Sequence, residues 1–179
     1  ETVPAGTVED VEDVTALQSL IKRAERLRGP DNDPKLRLLI DQVRTLISDG
    51  YRPVIFCRYI ATAHYVADYL RQALPGDECH VEAVTGELTS DQREERVNAL
   101  AELEEDVIPV LVATDCLSEG INLQRIFNAV VHYDLSWNPT RHEQREGRVD
   151  RFGQSAAVVR ALMLYGQNNP VDGAVLRVI

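Results

Sequence analysis

The chain has 179 residues, 44% of them hydrophobic, and a formal net charge of −10. That length suffices for one domain with its own core, and the acidic balance excludes a protein that grips nucleic acid through a bulk basic footprint, so any such binding has to be local. Cys57, Cys79 and Cys116 have no Cys-x-x-Cys spacing and read as reduced thiols of a cytoplasmic protein, and no apolar run approaches the roughly 18 residues of a membrane span.

Residues 1–12 are acidic with scattered small residues and read as a loose lead-in. Val14, Leu17, Leu20, Ile21, Ala24 and Leu27 recur at helical spacing over 14–28, and Gly29-Pro30 stops that helix. Residues 1–33 are therefore an acidic lead-in and helix, and 34–179 form the main domain. Asp33-Pro34 supplies an N-cap and a first-turn proline for a second helix carrying Leu36, Leu39, Ile40, Val43, Leu46 and Ile47, closed by Gly50.

From there apolar strands alternate with helices. Strands are expected at 53–57, 79–84, 108–113, 129–133 and 158–165, and amphipathic helices at 62–73 and 90–103. A short helical turn is expected at 117–119, and Asn138-Pro139 opens a further helix. The alternation implies a mainly parallel sheet covered on both faces, a three-layer α/β/α sandwich preceded by an N-terminal helical segment. Ligands of such sheets bind outside the carboxyl ends of the strands. Polar residues gather at that rim: Arg58, Thr85-Gly86, Thr114-Asp115 and Asp134. The chain begins at Glu1 and ends in Val175-Leu176-Arg177-Val178-Ile179, which reads as a helix cut short, so a fragment of a longer protein is expected.

Several chemistries lack their residues. Neither lysine, Lys22 or Lys35, follows a glycine-rich loop, so the chain holds no phosphate loop of its own and is not expected to hydrolyse ATP alone. No Gly-x-Gly-x-x-Gly opens a helix, and Asp31-Asn32-Asp33 lacks the central glycine and terminal glutamate of a calcium loop. His64, His80, His132 and His142 show no metal-ligand spacing, so no metal site is expected. What remains is Gln144-Arg145-Glu146-Gly147-Arg148-Val149-Asp150-Arg151-Phe152-Gly153-Gln154. With Arg141, its arginines recur at helical steps and would share roughly a third of a helix circumference. Guanidinium forks suit phosphate oxygens, although a solvated face laced with Glu143 and Glu146 fits the same pattern.

The residues from Ala113 to Gln124 resemble motif V of the superfamily 2 helicases, and those from Gln144 to Gln154 resemble motif VI. Phe56-Cys57-Arg58 with Thr62 is similar to motif IV, and Thr85-Gly86 to the phosphate-contacting motif after it. Over roughly residues 35–165 the chain thus resembles the second RecA-like domain, the helicase C-terminal domain. Glu119-Gly120-Ile121-Asn122-Leu123, Asp134-Leu135-Ser136-Trp137-Asn138-Pro139 and Arg151-Phe152-Gly153-Gln154 resemble the SWI/SNF-type bacterial DNA translocases. Arg145 and Asp150 depart from that form, which has alanine and histidine there, while Gly147-Arg148 resembles the DEAD-box RNA helicases.

The resemblance implies a RecA-like fold and a nucleic-acid-dependent ATPase. ATP with Mg²⁺ would be held mainly by a first RecA-like lobe elsewhere in the same protein. Arg148 and Arg151 match the arginine fingers. Gly120, Asn122 and Gln144 match positions near the nucleotide. Arg58, Thr85, Gly86 and Thr114 match contacts to nucleic-acid phosphates. The implied partner is double-stranded DNA, with RNA as the alternative substrate and a non-catalytic scaffold as the alternative role; a cytoplasmic bacterial setting goes with it.

Overall fold

The computed structural model describes residues 11–118, 121–167 and 169–177. The first helix, α1 (Val11–Arg26), is followed by α2 (Pro34–Ser48), β1 (Pro53–Phe56), α3 (Ile60–Ala73), β2 (Cys79–Val84), α4 (Ser90–Ala101) and β3 (Ile108–Ala113). A short 3₁₀ turn at Asp115–Ser118 leads to β4 (Ala129–His132), α5 (Pro139–Glu146), β5 (Arg160–Met163) and α6 (Pro170–Val175).

The five strands form one all-parallel sheet in the order β2-β3-β1-β4-β5. Its three central strands are short apolar runs rich in β-branched residues, as strands buried on both faces must be. Side chains alternate between two cores. Ile55, Val110, Val112, Ala129 and Val131 face the cluster built by α2 and α3. Val54, Phe56, Leu111, Ala113 and Val130 face the one with Val97 and Leu100 of α4, Leu117, Leu123 and Phe127. The result is the three-layer RecA-like architecture.

Local chemistry explains the main helix starts. The Asp33 carboxylate accepts the N–H groups of Lys35 and Leu36, each at 3.0 Å, and Pro34 occupies the first turn. Thr89 and Gln92 form a reciprocal capping box at the start of α4.

The structure departs from the sequence expectations in four places. The α1 helix forms, but its described side chains are exposed, so its apolar stripe is not buried against this domain. The last strand is confined to Arg160–Met163, and α6 forms behind an Asn169 cap. The arginine helix ends at Glu146 instead of running on to Arg151. The N–H of Gly147 still donates four residues back, to the Glu143 carbonyl at 2.8 Å, but those of Arg148 and Val149 donate to Arg145 and Glu146, three residues back. Most of the acidic lead-in, the Val178-Ile179 end and Gly120 lie outside the described residues.

Candidate functional site

Four strand ends converge on an open cavity of about 690 Å³. Arg58 and Tyr59 come from the loop after β1, Gly86 from that after β2, and Thr114 and Asp115 from that after β3. Trp137 and Asn138 line it after β4, with Arg141 and Arg145 of α5. In the sheet order the chain passes from β3 across β1 to β4, so the cavity sits where parallel sheets change winding direction.

The expected phosphate contacts divide by accessibility. Arg58 and Gly86 are exposed. The Arg58 guanidinium lies over the Tyr59 ring, and its backbone N–H donates to Asp134 at 3.0 Å. Thr85 and Thr114 are only 2% and 6% exposed, and their hydroxyls donate to Glu87 and to the Cys116 sulfur. These threonines shape the rim from beneath in this conformation. Their hydroxyls would reach a phosphate only after leaving those partners.

The floor of the cavity is a buried polar network. The α5 sequence PTRHEQRE has no aliphatic residue, so the face it turns inward is polar: His142 and Arg145 are each 2% exposed. Arg145 Nε donates to Asp115 Oδ1 at 2.7 Å and Nη1 to the Asp134 carbonyl at 3.1 Å, while the guanidinium lies over Phe56. Arg141 Nη1 donates to the other Asp115 oxygen, Oδ2, at 3.0 Å. Burial acts to raise the Asp115 carboxyl, but the hydrogen bonds and charges of Arg145 and Arg141 outweigh it and hold it below the usual range.

Behind the arginine, hydrogen-bond partners assign the His132 tautomer. His142 Nε2 meets both the Ser136 N–H at 3.0 Å and the Ser136 carbonyl at 3.2 Å, and its Nδ1 lies 3.3 Å from His132 Nδ1, which accepts from Arg145 Nη1 at 3.4 Å. His132 Nε2 then donates to Glu146 at 2.9 Å. Burial, helped by His142 and Arg145, pushes His132 down to about 3. Its contact with Glu146 is accordingly a hydrogen bond from a neutral ring and not an ion pair. Burial also lowers His142 and raises Glu146.

The expected ATP-facing residues stand apart from the cavity. Gln144 is exposed near the end of α5, and Arg148 and Arg151 follow it on a turn, half-buried and exposed respectively. Arg141, Arg145, Arg148 and Arg151 therefore do not form one solvent-facing stripe. Gln154 holds the turn: its amide donates to the carbonyls of Phe127 and Val149, both at 2.9 Å, and Gly153 takes φ +94°. Asn122 is exposed, and Gly120 lies outside the described residues.

Sequence reasoning missed Arg145 as a buried anchor, Gln154 as a loop clamp, and the ion pair between Lys35 and Asp134 at 3.0 Å. Arg145 carried one usable signal. His142, Arg145 and Val149 recur at helical spacing in a segment with no other candidates for a buried face.

Residues 34–153 match the helicase conserved C-terminal domain family. The chain is 32% identical over 155 residues to an uncharacterized ATP-dependent helicase, YqhH, of Bacillus subtilis, covering 79% of this chain and 26% of that protein. It is 33% identical over 149 residues to the RNA polymerase-associated protein RapA of Pectobacterium atrosepticum, covering 80% of this chain and 15% of RapA. It is 32% identical over 152 residues to DEAD-box ATP-dependent RNA helicase 38 of Arabidopsis thaliana, covering 79% of this chain and 28% of that protein. Among solved structures, the C-terminal part of the Fun30 ATPase domain superposes with a TM-score of 0.65 at 22% identity, covering 80% of this chain and 44% of that one. The chain thus spans less than a third of these curated relatives.

Proposed function

Because this chain belongs to the helicase conserved C-terminal domain family, we propose that it is the second motor lobe of an ATP-dependent nucleic-acid translocase. In this reading the rim cavity tracks the phosphate backbone of double-stranded DNA, and Arg148 and Arg151 complete an ATP site whose phosphate loop and Mg²⁺ lie on a first lobe of the same protein. The observation that carries it is the pinned turn after α5. Gln154 fixes the turn through two backbone carbonyls and leaves the Arg151 side chain exposed. A lobe serving only as a scaffold has no need of an exposed arginine presented on a fixed turn.

Bound ATP would supply the phosphoryl group to be transferred. What this chain contributes is positive charge brought to that group when the lobes close. Fingers of this kind are worth about 10³ to 10⁵ in rate. Closure and reopening would move the rim relative to the first lobe, so a difference in affinity between the two states becomes a step along the strand. The neutral rim groups, Gly86 and Thr114, reconcile backbone binding with the net charge of −10.

ATP turnover by the full-length protein, with double-stranded DNA, single-stranded DNA or RNA and beside Arg151→Ala, tests the proposal. Duplex-stimulated turnover that collapses in the variant is expected. Stimulation by RNA alone would move the assignment to an RNA helicase lobe, consistent with the relative named an RNA helicase. Turnover indifferent to Arg151 would remove the finger assignment, and no turnover with any nucleic acid would leave the scaffold.

A further inference from the structure

We infer that Arg141 is a releasable phosphate contact, parked on Asp115 until nucleic acid enters the rim cavity; this rests on the reading of the cavity as the tracking-strand site. Asp115 has two guanidinium partners, one on each oxygen, and a single carboxylate charge. The two partners differ in freedom. Arg145 is 2% exposed and is tied down by Asp115, the Asp134 carbonyl and the Phe56 ring. The Arg141 side chain is 53% exposed and reaches Asp115 from the opening of the same cavity.

If Arg141 swings away, Asp115 keeps its shorter and better buried bond, to Arg145 at 2.7 Å. No buried charge is orphaned. The ion pair given up is a half-exposed one, and exposed pairs contribute little to stability. A phosphate oxygen offers the same fork a bidentate partner in exchange. The charge balance of the cavity points the same way: among the described residues, the charged ones lining it are Arg58, Arg141 and Arg145 against Asp115, on a chain whose net charge is −10. This pocket is locally inverted in sign relative to its surroundings, and Arg141 stands within it together with Gly86 and Thr114. Arg145 neutralises Asp115, and Arg141 supplies the surplus.

The test is the salt dependence of duplex DNA binding by the full-length protein without nucleotide, for the wild type, Arg141→Gln and Arg141→Lys. Each phosphate contact contributes about 0.9 to the slope of log affinity against log salt. Arg141→Gln is expected to lower that slope by about one and Arg141→Lys to restore it, with both variants melting as the wild type does. An unchanged slope in Arg141→Gln overturns the inference. So does an equal loss in both variants accompanied by lowered melting, which would make the residue a structural tie. If the wild type binds no duplex at any salt concentration, the tracking-strand reading fails first, and the two failures are told apart by that arm.

Discussion

Arg145 shows how one residue can carry both stability and the geometry of a site. Its guanidinium joins the loop after β3, the loop after β4 and α5 through Asp115, the Asp134 carbonyl and His132. Removing Arg145 would leave the Asp115 charge with the half-exposed Arg141 as its remaining partner, at a cost of about 3 kcal/mol, the low end for breaking a buried pair. Arg145→Ala should therefore lower the unfolding free energy by that amount, read as a lower denaturant midpoint at an unchanged m-value; a shift within experimental error would show that solvent and the existing pair with Arg141 suffice for Asp115. His132 makes a second prediction. Its folded-state pKa is pushed below the ordinary value of 6.5 to about 3, so between those values the unfolded chain binds the extra proton. Stability from this group is full above pH 6.5 and is lost as the pH falls toward 3. Glu146, raised by burial, acts in the opposite sense over the acidic part of that window. Comparing the wild type with His132→Gln across pH 7 to about 4 isolates the histidine, because the variant should lose part of the acid-side slope. Equal slopes would mean that His132 titrates normally.

At the level of elements, the link between α2 and α3 can be tested through one carboxylate. Asp33 caps α2 with one oxygen and accepts the Tyr65 hydroxyl at 3.1 Å with the other, and that hydroxyl accepts the Gly29 N–H. Asp33→Ala should cost about 1 to 2 kcal/mol by chemical denaturation, and Tyr65→Phe less, because the cap to α2 survives it. If Tyr65→Phe proves the costlier change, the hydroxyl and not the cap is the tie. These elements were legible in the sequence because their signals are local. Asp33-Pro34, Thr89 with Gln92, and Asn138-Pro139 announce helix starts, and the central strands are unbroken apolar runs. The end of α5 was less legible. Arginine spacing continues past Glu146, whereas beyond Gly147 the N–H groups of Arg148 and Val149 turn to carbonyls three residues back instead of four. The polar network was hidden for another reason: Asp115 and Arg145 are 30 positions apart, and nothing in either neighbourhood names the other. The rim residues were readable as strand ends, but the burial of Thr85 and Thr114 emerges only when the loops pack.

For the molecule as a whole, the question is what a lobe of this composition can do by itself. Polyphosphate binding by a parallel-sheet domain needs backbone N–H groups and a cation at one strand end. This chain has two lysines. Lys22 is exposed on α1, away from the sheet, and Lys35 is engaged with Asp134 at 3.0 Å and over the Tyr133 ring. Neither is placed to cradle a phosphate, and the rim cavity and the arginine turn present separate surfaces. The 179-residue chain alone should therefore show no ATP turnover above background, with or without duplex DNA, while the full-length protein turns ATP over and loses that activity in Arg148→Ala and Arg151→Ala. The loss in each variant should be about 10³-fold or more, since a missing finger removes charge from the transition state and leaves ground-state binding largely in place. A rise in KM at constant kcat would instead mean that the two arginines act in binding alone. Turnover by the isolated chain, retained in both variants, would require a phosphate site built without a glycine-rich loop and would contradict the division of labour between two lobes.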